Sequence, residues 1–210
     1  MTTAAGGGGG GTTTMADDAD DDPSFEIVMA TRFNAVTFGE FQNHLARRSS
    51  AAAAAFYNTP RPITRTRVPS TSNVVLYVLE MHNDANLLMG VGVVRNEPTV
   101  SPPAVYTDRR YNFYGYRIER RVAFRVCPTG GLDPRFDGPQ RELIASLETA
   151  LFRGKTHAKR GCGITQIMGV SHREAVYAPL RAMLADTREP PPTSHRPHIV
   201  RARAHANGTR

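Results

Sequence analysis

NVVLYVLEMHNDANLLMGVGVVR, residues 73–95, carries the strongest structural signal in the chain. Asn73–Met81 is β-branched and aromatic, the composition of a strand on a half-buried pleated surface. His82–Asn86 has the composition of a turn, and Leu87–Arg95 reads as a second strand. The two make a hairpin and set the fold class, a sheet with sequential antiparallel neighbours. Gly90 and Gly92 fall on one face of the second strand, because side chains alternate. No helix follows them and a third glycine is missing, so they do not form a dinucleotide-binding loop. They predict a bend or a close packing contact.

Upstream, FEIVMATRF (25–33) reads as a strand. Thr37 can cap the helix FGEFQNHLARR, with Glu40 at capping-box spacing. The small-residue run Ser49–Ala55, followed by Pro60, Pro62 and Pro69 among Arg61, Arg65 and Arg67, marks an insertion near 49–70 that forms a solvated loop or a basic arm. Downstream, Tyr106–Val126 reads as a hairpin around Gly115, and Cys127–Pro139 as a loop. QRELIASLETALF (140–152) has apolar residues at 143, 144, 147, 150 and 151, the spacing of an amphipathic helix. Ile164–Val170 reads as a short strand. Ser171, with Glu174 three residues on, can cap a further helix that Pro179 kinks or splits. The sum is an α+β fold: a mainly antiparallel, partly closed, small barrel-like sheet with two or three packed helices.

Composition divides the chain. Residues 1–24 form a Gly/Asp-rich leader expected to be disordered, 25–186 one globular domain, and 187–210 a disordered basic tail. The net charge is +7 and the pI near 9.9. All of the leader's charge is acidic (Asp17, Asp18, Asp20, Asp21, Asp22), and the rest of the chain carries 26 Lys and Arg against 14 Asp and Glu. A body this basic seeks anionic partners, nucleic acid first and an acidic protein second. Two cysteines are too few for a disulfide framework, and too few for a zinc site without histidines at metal spacing. No apolar run reaches membrane-spanning length, and the N-terminus lacks the pattern of a signal peptide. The expected setting is intracellular or virion, with no membrane partner and no cofactor.

The chemistry concentrates in two places. The first is Arg153–Ile167, RGKTHAKRGCGITQI. Lys155, Lys159 and Arg160 supply charge, His157 a switchable donor, and Gly161 and Gly163 a backbone whose N–H groups can approach an anion. The order is not that of a P-loop, where the lysine follows the glycines. A plain helix end with favourable basic residues explains the same composition. The second is Tyr106–Val126, where Tyr106, Tyr111, Phe113, Tyr114 and Tyr116 interleave with arginines, the pairing that stacks bases and neutralises phosphates. Arg117, Arg120, Tyr114 and Tyr116 are the candidate contacts there. Alternation turns Tyr116 and Ile118 toward a core and leaves Arg117, with Tyr111 or Tyr114, outside.

No catalytic signature accompanies these segments. Glu80 and Glu119 are the carboxylates a metal-dependent nuclease would use, but no spacing clusters them. Cys162, beside Lys159 and Arg160, has the setting of an activated thiol, with His157 or His172 as base; a small half-buried cysteine accounts for it more simply.

Three segments, NVVLYVLEMHNDANLLMGVGVVRN, YNFYGYRIER and LFRGKTHAKRGCGIT, together resemble an uncharacterised protein family of nucleocytoplasmic large DNA viruses. Its members show a K-G-K-x-H-x-K-R-G-x-G-I segment after an apolar helix, and here Ala158 and Cys162 fill the variable slots. The resemblance covers about 25–184 and implies a viral origin rather than a reaction. The element order is also similar, more weakly, to small β-barrel modules of the PUA/EVE/YTH kind, which implies binding of RNA or modified bases; the Trp often used in their base-holding cage has no counterpart here. The expectation is a nucleic-acid-binding module. A virion packaging protein and a metal-dependent nuclease are the alternatives.

Overall fold

The computed structural model describes residues 25–48, 54–63, 74–153, 158–161, 163–167 and 174–185. Its strands are β1 (Glu26–Phe33), β2 (Phe56–Thr59), β3 (Val75–His82), β4 (Leu87–Arg95), β5 (Thr99–Val100), β6 (Tyr114–Ala123) and β7 (Thr165–Gln166). Its helices are α1 (Ala35–Arg47), α2 (Gly138–Phe152) and α3 (Glu174–Ala185). The strands form one mixed sheet in the order β2-β6-β4-β3-β1-β7, with β5 also paired to β6. The sheet curls into a half-barrel, as the α+β reading required. All pairs are antiparallel except β1 with β3, which run parallel from Glu26↔Val75 to Phe33↔His82.

The β3–β4 hairpin forms as its composition dictated, turning through Asn83–Asn86. Both faces of the central strands are covered, so β1, β3 and β4 are almost continuously buried instead of alternating. One face packs on α2 and α3 through Leu79, Val91, Ile144, Leu147, Leu180 and Met183. The other packs on α1 through Met29, Val78, Phe38 and Phe41. Pro179 lies inside a single continuous α3.

The curl has an identifiable cause. Register shifts at Glu80/Met81 and at Val93/Val94 add twist to the centre of the sheet. Gly90 and Gly92 then leave the inner face open: a Cβ on Gly92 would collide with the Tyr57 ring, and one on Gly90 would stand 2.9 Å from Glu80 Oε2. This is the close packing contact the two glycines predicted. The sheet's two edges meet where Gly163, just before β7, packs against Thr59 and Pro60 at the end of β2.

Two local readings need correction. The α1 cap is Asn34, with Thr37 as its reciprocal partner three residues on, so Thr37 sits within the first turn. An Asn at the N-cap position outcompetes the later Thr because the helix can then begin earlier. Gly115 is not a turn. It lies within β6, where Pro102 and Asn58 pack so closely that a Cβ would stand 2.6 Å from Pro102 Cβ. The partners of this end of β6 are β2 and β5 rather than the residues just before it.

The leader, the tail, most of the 49–70 insertion with Arg65 and Arg67, and the proposed Ser171 cap lie outside the described residues. Among the described residues no helix is long and apolar enough to cross a membrane.

Candidate functional site

A cleft of about 170 Å³ opens where the sheet edges meet. It is walled by the end of β1 (Thr31, Arg32, Phe33), the start of α1 (Asn34, Thr37), Asn58 of β2 and Asn83 of the β3–β4 turn, with Tyr106, Tyr111, Gly161 and Gly163 completing the lining. Pockets for drug-sized molecules run roughly 300–1,000 Å³, so this one suits a single small group.

Each wall is fixed by named bonds. Arg32 donates through Nε to the Ala158 carbonyl and through Nη1 to Thr165 Oγ1 at 2.7 Å. Asn83 Nδ2 donates to Lys159 O at 3.1 Å. The loop between α2 and β7 is therefore docked on β1 and the hairpin turn by its carbonyls. Gly161 (φ 119°) and Gly163 (φ 72°) hold conformations that side chains disfavour. Among the described residues their amides donate to no protein acceptor.

The opposite wall is organised by Asn112. Its Oδ1 accepts from Val105 N, Tyr106 N and Asn58 Nδ2, and its Nδ2 donates to Tyr106 O at 2.7 Å. One side chain thus anchors the segment after β5 to β2 and presents Tyr106 and Tyr111, whose rings meet edge-on at 6.1 Å. Burial, followed by the charges of Glu80 and Glu40, pushes the Tyr106 phenol up, so it remains a neutral donor. The α1 N-terminus is already served: Asp84 Oδ2 accepts from Ala35 N at 2.8 Å, and Asn34 takes Thr37 N. The first backbone N–H groups of the helix are thus taken by protein acceptors.

Two atoms stand out. Asn58 Oδ1 and Asn83 Oδ1 are buried without a hydrogen-bond partner, while both residues line the cleft. Leaving such a group unsatisfied costs about 1–3 kcal/mol.

The sequence-derived candidates separate. Gly161 and Gly163 line the cleft, with exposed Arg160 and half-buried Lys159 beside them. Lys155 and His157 lie outside the described residues, as does Cys162. Tyr116 is 0% exposed and packs in the core on the α1 side, with its hydroxyl accepting from Ile63 N at 2.7 Å. It cannot contact nucleic acid, because strand alternation and the curl turn it inward. Tyr114 is half-buried at the β2 and β5 pairing, outside the cleft lining. Arg117 and Arg120 are exposed and make no ion pair among the described residues. They lie on the other face of β6 from Tyr116: Arg117 by alternation, and Arg120 through its pairing with Val93, which packs on the α2/α3 side. The Tyr/Arg segment therefore contributes Tyr106 and Tyr111 to the cleft, not the four residues first singled out.

Sequence reading missed Arg32, Asn58, Asn83 and Asn112. Each is a lone polar residue within or beside a strand or turn, and nothing local distinguishes it.

The nuclease carboxylates do not assemble. Glu80 is bonded on both oxygens by Arg121 and again by Tyr57, while Glu119 pairs with Arg95 at the surface at 3.3 Å. Among the described residues no group of three His, Cys, Asp or Glu side chains could hold a metal ion. No protein-family model, curated protein or solved structure matches the chain.

Proposed function

We propose that the chain is a nucleic-acid-binding module of a large DNA virus, with the cleft between the Gly161–Gly163 loop and Tyr106/Tyr111 as its contact site. One observation carries the reading: the lysine-glycine loop and two tyrosines of the arginine-rich segment, some fifty residues apart, wall a common cleft. Glycine amides without acceptors among the described residues, Lys159 and Arg160 next to them in the loop, and two aromatic rings in the same lining are the parts that phosphate-and-base contacts use. The basic excess of the chain supplies long-range attraction to a polyanion. The viral origin is drawn from the resemblance of its three segments.

Electrophoretic titration of the full chain with short single-stranded and duplex DNA and RNA at rising salt tests the reading. Affinity is expected to fall steeply with salt, and Lys159→Ala/Arg160→Ala to weaken it. Binding that ignores salt, or that is untouched in that double variant, sinks the proposal.

A further inference from the structure

The lining of the cleft is one-sided in charge. Among the described residues that wall it there is no carboxylate, and the one charged side chain is that of Arg32. Its guanidinium lies beside the glycine loop: a Cβ on Gly161 would stand 3.7 Å from Arg32 Cζ and Nη1. Lys159 and Arg160 precede Gly161 in the same loop. Three hydroxyl-bearing side chains share the lining, Thr31, Tyr106 and Tyr111, and among the described residues none of their hydroxyls makes a hydrogen bond. Thr31 is 4% exposed and Tyr106 7%. A polar group that deep in a fold normally has a partner. Neither hydroxyl is sealed from solvent as the Asn58 and Asn83 oxygens are. The two carboxylates whose charges bear on the Tyr106 phenol stand outside the lining: Glu80 is paired with Arg121, and Glu40 accepts from Thr107 N at 3.0 Å.

Resting on the nucleic-acid reading above, we propose that the cleft holds a phosphomonoester, the terminal phosphate of a strand, with the Thr31 and Tyr106 hydroxyls and the Gly161 and Gly163 amides as donors and Arg32 as countercharge. Each of these donors can serve a phosphate oxygen, which only accepts. Two nitrogens of Arg32 are fixed on Ala158 O and Thr165 Oγ1, so it contributes a positioned charge. A terminal phosphate offers three acceptor oxygens and carries about −1.5 to −2 charges at pH 7. An internal phosphodiester carries a single charge. The cleft, about 170 Å³, suits a group attached by one arm, whereas an internal phosphate brings a sugar on each side. Burial keeps the Tyr106 phenol protonated, so it enters as a donor.

The test is fluorescence anisotropy of the full chain with internally labelled single strands of one short sequence, at one salt concentration. The strands carry phosphate at the 5′ end, at the 3′ end or at neither. A strand with a terminal phosphate is expected to bind about tenfold tighter than the strand with two hydroxyl ends, the effect of one hydrogen bond to a charged group. Thr31→Val and Tyr106→Phe each delete a hydroxyl that bonds to no described residue, keep the side-chain outline, and are expected to melt as the wild type does. Each is expected to narrow the ratio between phosphorylated and unphosphorylated strands. Equal wild-type affinity for all three strands, or a ratio unchanged in both variants, overturns the phosphate site and leaves nucleic-acid binding standing. Orthophosphate that displaces the strands at their own half-saturating concentration assigns the cleft to the free ion and overturns the strand end. Failure to bind any strand overturns both.

Discussion

Arg121 grips Glu80 with two hydrogen bonds inside the curl of the sheet, Nη2 to Oε2 at 2.6 Å and Nε to Oε1 at 2.7 Å. The Tyr57 hydroxyl adds a third to Oε1 at 2.5 Å. The Glu80 side chain is 0% exposed and that of Arg121 18%. Burial, with the Glu80 charge behind it, holds the Tyr57 phenol well above its ordinary value, so it always donates. A buried pair contributes little net energy over an apolar replacement, but breaking one side leaves a bare charge. Arg121→Ala is expected to lower unfolding free energy by about 3–5 kcal/mol. The double variant Glu80→Leu/Arg121→Met should cost far less than Arg121→Ala. Urea denaturation of both proteins decides the matter, and a double variant at least as damaged as the single would refute the pairing argument.

Gly163 and Gly39 make opposite predictions. Gly163 sits at φ 72° and touches Thr59 and Pro60, so Gly163→Ala adds strain and a clash where the sheet edges meet. A loss of about 1–3 kcal/mol is expected, the usual cost of a side chain held in such backbone. Gly39 is inside α1, and a Cβ there meets nothing within 4 Å. Gly39→Ala should therefore stabilise by roughly 0.5–1 kcal/mol through helix propensity. Thermal melts of the two variants should move in opposite directions.

His44 gives the chain a pH dependence of known sign. Its Nε2 accepts from Phe56 N at 3.2 Å, an arrangement that needs the neutral ring. Burial first, then the charges of Arg48 and Arg47, hold its pKa below the usual histidine value of 6.5. The unfolded chain therefore takes up the proton first as pH falls. Stability contributed by neutral His44 is fully present above pH 6.5 and declines as pH drops below it, until the folded form is also protonated. His44→Gln should flatten this part of the stability–pH curve. An unchanged slope would show that other groups set it.

The cations near the cleft and those across β6 should act differently on binding. Lys159 and Arg160 flank the cleft loop, whereas Arg117 and Arg120 face away from it. Removing the first pair is expected to reduce the slope of log affinity against log salt by roughly 1.5–2, close to one per lost phosphate contact. Arg117→Ala/Arg120→Ala should leave that slope within error of wild type. The reverse result would move the contact surface to the other face of the sheet.

Much of the architecture was legible locally. The β3–β4 hairpin, β1 and α2 each announce themselves through β-branched runs or helical spacing, and the structure places them within a residue or two of their expected bounds. Tyr106–Val126 misled because Gly115 resembles a turn when its neighbours are unknown. Only the approach of Pro102 and Asn58 from elsewhere explains the missing side chain. Tyr116 misled for a related reason: alternation names two faces but does not say which will be covered.

The residues alone determined a basic chain with a glycine-bearing cationic loop and a tyrosine-arginine segment, since charge, backbone freedom and side-chain period are local properties. Tertiary structure decided which of these meet. The curl of the sheet brings Thr59 to Gly163, turns Tyr116 inward and gathers Tyr106, Tyr111 and Gly161 into the lining of one cleft. It also recruits Arg32, Asn58 and Asn83, whose positions depend on long-range pairing and packing that no single segment encodes.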